Sequence, residues 1–124
     1  MKKKLKNRPY YKRKLDEVFS LYVRQRDGQC VQQGLSNCAG GLTAGHLITR
    51  VWESTRWSEQ NVFGQCMGHN MKHENDPHEF IQWYISEFGL ETYEELYQKA
   101  RDHSTHYSRS DLIDLIKVYK NKLN

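Results

Sequence analysis

The feature that most constrains this chain is the placement of its cysteines. Cys30 and Cys38 stand before a polar, glycine-rich stretch, and Cys66 with His69 stands after it. Hydrophobic residues make up only 37% of the 124 residues, so one small domain with a thin core is expected. A chain this polar gains from a staple. Three cysteines is an odd count, which argues against a disulfide framework. In a reducing compartment they are better read as thiolate ligands. A structural zinc takes four soft or borderline donors in a tetrahedron, commonly three cysteines and a histidine. Cys66-x-x-His69 has the usual spacing for one half of such a clip. Cys30 and Cys38 are spaced more widely than usual. The competing reading is a lone buried thiol at Cys38 and a surface histidine at His69. Because all three cysteines flank one polar segment, Cys30, Cys38, Cys66 and His69 are read as one zinc clip with a folding role.

Lys and Arg number 19 against 15 Asp and Glu, a net charge of +4. That balance leans toward a polyanionic partner, or equally toward a soluble protein with a basic tail. No apolar run approaches the ~20 residues of a membrane span, and no apolar segment follows the basic start, so neither a membrane protein nor a secretory signal is expected. A cytoplasmic location follows as an expectation, in the host cell if the chain is phage-encoded. Residues 1–13 are read as a basic flexible arm holding Lys2, Lys3, Lys4, Lys6, Arg8, Lys12 and Arg13, with Lys14 beyond it.

Leu15, Val18, Phe19, Tyr22 and Val23 recur at helical spacing, predicting a helix over about 12–26 that Asp27-Gly28 stops. Residues 28–64 carry no helical period and predict short strands among loops. Apolar faces return at Phe80, Ile81, Tyr84, Ile85 and Phe88, at Tyr93, Leu96, Tyr97 and Ala100, and at Leu112, Ile113, Leu115, Ile116, Tyr119 and Leu123. Ser108 or Ser110 is the expected cap of the last helix. The order helix, strands, helices predicts an α+β domain. It comprises residues 14–124, with a core over 28–78 and a helical part over 79–124.

A second constellation is interleaved with the clip: His46, then Asn61, then Asn70 directly after His69. A histidine on a strand, an asparagine in a loop and an asparagine opening a helix make the H-N-H nuclease pattern. Phosphodiester hydrolysis needs water deprotonated near neutral pH, which suits imidazole. It also needs a hard divalent cation on the scissile phosphate. A carboxamide oxygen at Asn70 with waters suits Mg²⁺ or Mn²⁺. Asn61 is expected to tie the strand pair together and orient the histidine. Trp52, Trp57 and Trp83 are candidates either for core packing or for stacking on unpaired bases. His103 and His106 read as a solvated loop.

These residues resemble the phage NinG/Rap recombination nucleases within the ββα-metal (HNH) superfamily. The resemblance rests on Leu15 through Asp27, on Ala44-Gly45-His46 with Arg50, on Thr55-Arg56-Trp57 with Asn61, and on Gln65-Cys66 through His69-Asn70. It runs more weakly through Phe80, Tyr84, Gly89 and the last helix. It implies a zinc-stapled ββα-metal core and a metal-dependent, structure-selective endonuclease acting on branched DNA such as Holliday junctions or D-loops, leaving a 5′-phosphate and a 3′-hydroxyl. By position His46 resembles the general base, Asn61 the organising asparagine and Asn70 the catalytic metal ligand. Arg50 and Arg56 match arginines of the pattern and are expected at phosphates. Lys72, Lys12, Arg13 and Lys14 are further DNA-contact candidates. Gln33 occupies the place of an expected second cysteine, with Cys38 substituting from a longer loop. Gly45 stands where many such enzymes carry an acid, so His73, Glu74, Asp76 and His78 become candidates for another metal donor. In a variant arrangement known from HNH toxins, His69 leaves the clip and joins His73 and His46. Cleaving two strands implies two sites, hence a homodimer. The alternatives are a non-catalytic zinc-stapled DNA-binding module or a recombination accessory protein.

Overall fold

The computed structural model describes residues 4–124, so Lys2 and Lys3 of the expected arm lie outside the described residues. The first helix, α1, spans Arg8–Asp27 and begins earlier than the apolar period suggests. The Asn7 side chain accepts from the Tyr10 N–H at 3.2 Å, and Pro9 sits in the first turn, where its missing N–H costs nothing. The boundary expected after residue 13 therefore falls inside a helix, and Arg8, Lys12 and Arg13 are helical residues. Gly28 at φ 72° ends α1, its N–H returning to the Arg24 carbonyl at 2.9 Å.

Two strands follow a loop. Strand β1 (Leu42–His46) pairs antiparallel with β2 (Val62–Cys66), Leu42 opposite Cys66 and His46 opposite Val62. A short helix, α2 (Glu53–Arg56), lies in the connection. Strand β2 runs straight into α3 (Met67–Asn75), with Cys66 as its N-cap. Three helices complete the chain: α4 (His78–Phe88), α5 (Leu90–Arg101) and α6 (Arg109–Lys122). Ser108 rather than Ser110 caps α6, in a reciprocal box with Asp111. The architecture is α+β, with a small two-stranded sheet among helices.

The hairpin sits between two apolar clusters. All five residues of β2 are buried, and alternate side chains point to opposite faces. Val62 joins Leu15, Phe19, Val23, Leu112 and Ile116 of α1 and α6. Phe63, one residue on, joins Leu47, Phe80, Tyr84 and Leu96 of the α4–α5 side. Trp57 is core, and Trp83 and Trp52 are partly buried against the second cluster. Trp52 lies near Tyr97 and His103, at 6.3 and 6.0 Å between ring centroids.

Glu59 stitches α1, the hairpin loop and α6 together. Its carboxylate accepts from the Tyr22 hydroxyl at 2.6 Å, the Tyr119 hydroxyl at 3.1 Å and Lys122 Nζ at 3.2 Å. Partial burial raises its pKa, but these donors outweigh that and hold the carboxyl below its ordinary value. A carboxyl depressed in the folded state contributes stability above its unfolded pKa of about 4.3, and that contribution is lost as pH falls through the folded value. Glu59→Gln is expected to cost roughly 1 kcal/mol at neutral pH. Denaturation across pH 3–7 should show the variant losing less than wild type over the acid range. Equal acid sensitivity would refute the role.

Candidate metal centre and adjoining cavity

Cys30 follows α1 by three residues, Cys38 comes from the loop beyond it, Cys66 ends β2 and His69 lies in the first turn of α3. Their donor atoms all lie within 4.8 Å of one another. His69 Nδ1 stands 3.3, 3.7 and 3.0 Å from the sulfurs of Cys30, Cys38 and Cys66. A tetrahedral zinc with ordinary bond lengths separates a sulfur and a nitrogen ligand by about 3.6 Å. The wide spacing of Cys30 and Cys38 is absorbed by consecutive turns, Gln33 N–H to the Cys30 carbonyl and Leu35 N–H to the Gln32 carbonyl, with Gly34 at φ 93°. The chain then returns and is fastened to α3, Gly68 N–H meeting the Ala39 carbonyl at 2.8 Å. Gln33 itself is exposed.

The tautomer of His69 can be deduced. The Glu79 carboxylate only accepts, so Ser36 Oγ donates its one proton to Glu79 Oε1 at 2.8 Å. Ser36 then accepts from His69 Nε2–H at 2.7 Å. The proton sits on Nε2, and the Nδ1 lone pair faces three sulfurs. Lys72 donates to the other Glu79 oxygen at 2.6 Å. A ligand histidine held from behind in this way is the usual support of a metal site.

The thiols divide sharply. At Cys66 burial raises the pKa, but the His69 and Ala39 backbone N–H groups outweigh it and bring the thiol down to about 6. At Cys38 desolvation, with the Cys66 and Cys30 sulfurs, pushes it up to about 11. Three thiolates so close repel one another, and a bound dication removes that conflict. The donor set and its geometry fit a metal such as zinc. His69 groups with the three cysteines, its Nδ1 turned to their sulfurs, while His73 and His46 line the neighbouring cavity.

Beside the cluster lies a cavity of about 710 Å³ lined by His46, Arg50, Asn70, His73 and Glu74, among others. His46 ends β1. Its Nε2 lies 2.9 Å from the Arg56 carbonyl oxygen, an acceptor only, so Nε2 carries the proton and Nδ1 keeps its lone pair. Burial lowers the His46 pKa, against a smaller raising effect of the Arg56 carbonyl. Asn70 donates from Nδ2 to Thr43 Oγ1 at 2.9 Å, and Thr43 donates to the Gln65 carbonyl at 2.8 Å. This fixes the carboxamide and leaves its oxygen for another partner. His73 donates from Nε2 to the Leu47 carbonyl at 2.8 Å, and its buried Nδ1 has no partner.

Asn61 is fully buried. It accepts from the Ile48 N–H at 2.8 Å and donates to the Ile48 and Thr55 carbonyls at 3.0 Å each. It thereby closes the β1–β2 connection, while the His46 ring is held by Arg56 rather than by Asn61. Asp76 and His78 do not line the cavity.

The family model described as Bacteriophage Lambda NinG protein matches residues 1–124. The chain belongs to the NinG family. Neither the curated proteins nor the solved structures give a significant match.

In this NinG chain several cations expected at DNA are already engaged. Arg56 is bidentate on Asp16, at 3.0 and 2.5 Å. Lys12 pairs with Glu53 at 2.8 Å, Lys14 with Glu17 at 3.9 Å and Lys72 with Glu79. Arg13 is exposed, as is Arg50 at the cavity wall. Among the described residues no helix is long and apolar enough to cross a membrane. Gly45 has a steric reason: a Cβ there would stand 1.7 Å from Gln65 Oε1. Asp16, Thr43, Ser36 and Glu79 were not singled out as site residues by the sequence. The contacts Asp16–Arg56, Thr43–Gln65, Ser36–His69 and Ser36–Glu79 span 22–43 positions, which no local spacing marks.

Purified protein should carry about one zinc per chain. Cys38→Ser should lose that metal to EDTA far faster than wild type, with disorder in amide spectra confined first to residues 30–41. Retained zinc in the variant would remove Cys38 from the site.

Proposed function

We propose that this NinG-family chain is a metal-dependent, structure-selective DNA endonuclease of the HNH (ββα-metal) type. Its substrates are the branched DNAs of phage recombination, Holliday junctions or D-loops, as in the NinG/Rap nucleases. One observation carries the reading: His46, with its Nδ1 lone pair free, and Asn70, with its oxygen uncommitted, line one cavity beside the metal cluster. The succession of β1, β2 and α3 around that cavity supports the ββα-metal assignment.

In this mechanism His46 Nδ1 takes a proton from the water that attacks phosphorus. Its lowered pKa keeps the ring neutral, and competent, at pH 7. Asn70 would contribute its carboxamide oxygen to a Mg²⁺ or Mn²⁺ site, and Glu74, which lines the same cavity, could supply the carboxylate that position 45 lacks. The bound cation would stabilise charge developing on the scissile phosphate and the leaving 3′-oxygen. Arg50, exposed at the rim, receives a phosphate. The products are a 5′-phosphate and a 3′-hydroxyl. A homodimer in the host cytoplasm would place two such sites on one junction.

Gly45 also favours a second reading, a zinc-stapled module that binds branched DNA without cutting it. Plasmid and junction cleavage with Mg²⁺ or Mn²⁺ separates the two. Wild type should cut, with an acid limb below the ordinary histidine pKa of about 6.5. His46→Ala should lose about 10²–10⁴ in rate while still retarding junction DNA in gels. Wild type that binds the junction yet never cuts it would establish the second reading.

A further inference from the structure

We infer that Asp16, on α1 and outside the cavity wall, is the positioning residue that fixes the tautomer and orientation of the His46 ring. The inference rests on the nuclease reading only for its consequence in catalysis. Its physical content is a chain of contacts. The Asp16 carboxylate grips Arg56 Nε and Nη2 at 3.0 and 2.5 Å and accepts from the Trp57 indole N–H at 2.8 Å. Three donors from two consecutive residues thus end on one carboxylate. Trp57 is 5% exposed and anchored in the core, so the segment has little freedom left. The Arg56 carbonyl that accepts the His46 Nε2–H at 2.9 Å belongs to this segment. Asp16, His46, Arg50 and Arg56 also line one small pocket together.

A carbonyl held in place selects the Nε2–H form and leaves Nδ1 as the base. Without it, either ring nitrogen can carry the proton and the ring can turn. The interaction joins α1 to the hairpin connection across 40 positions of sequence. It gives α1 a task beyond packing. It also gives Arg56 a task other than phosphate binding, with Nε and Nη2 on Asp16 and Nη1 on the Arg50 carbonyl at 3.2 Å.

The charged and titratable groups around the ring are Asp16 on α1, Arg50 and Arg56 in the connection, and His73 and Glu74 across the cavity on α3. Asp16 raises the His46 pKa, whereas Arg56 and Arg50 lower it. Neutralising Asp16 removes the first influence and unmasks the second, so the midpoint moves down.

The test uses the full zinc-loaded chain carrying Asp16→Asn, with Glu17→Gln as an exposed charge control on the same helix. Ring nitrogen shifts in metal-supplemented and Mg²⁺-free samples report the tautomer without reference to cleavage. Wild type and Glu17→Gln should hold His46 as the Nε2–H form. Asp16→Asn should show a mixture of tautomers and a lower titration midpoint. Its kcat for junction cleavage should fall about tenfold or more with KM little changed, because no DNA contact is lost. If Asp16→Asn does not fold, Arg56→Lys, which keeps the charge but not the fork, should show the same tautomer mixture. A folded variant whose His46 tautomer and midpoint match wild type overturns the inference. Tautomer mixing in a protein that never cleaves DNA would uphold the positioning role while removing the nuclease reading.

Discussion

The loop after α1 and the β2–α3 junction meet at a cluster of three sulfurs and one imidazole nitrogen. Cys30 and Cys38 come from the loop after α1, and Cys66 and His69 from the junction of β2 and α3. That loop is poor in apolar side chains. Of residues 33–41 every one is exposed, so hydrophobic burial cannot hold it. A tetrahedral ion held by these four donors would supply what the core does not. Once the junction is pinned, Asn70 follows His69 on α3 and is placed against Thr43 of β1. The same hairpin ends in His46. The cluster therefore organises the cavity without entering it.

Around that frame, electrostatics is used mainly for construction. Asp16, Glu53, Glu59 and Glu79 each draw together groups that are distant in sequence. The bidentate and charge-assisted contacts are partly buried, where they are worth more than exposed pairs. The cost is that a positive net charge overstates the cations free for a polyanion. Arg50 and Arg13 remain exposed, while Arg56, Lys12 and Lys72 are committed to carboxylates.

Much of this was legible in the sequence where physics is local. The helical faces at Leu15–Val23 and Leu112–Tyr119 reappear as buried stripes. The meeting of Cys30, Cys38, Cys66 and His69 followed from residue type and order, because these soft donors flank one polar segment. Local signals also misled. Pro9 read as part of a flexible arm, yet in a first turn behind Asn7 it favours a helix. The fork at His69 could not be resolved by spacing, since i+3 and i+4 partners are both reachable on a helix. The ring's direction was decided by Ser36 and Glu79, which no periodicity connects to it. The reason for Gly45 was likewise hidden, because it lies in the side chain of Gln65 on the neighbouring strand.

The most direct test of the central claim is X-ray absorption at the zinc edge of the purified chain. The account predicts a four-coordinate ion with three sulfurs at about 2.3 Å and one nitrogen at about 2.0–2.1 Å. A shell of oxygen and nitrogen alone, or one holding fewer than three sulfurs, would contradict it.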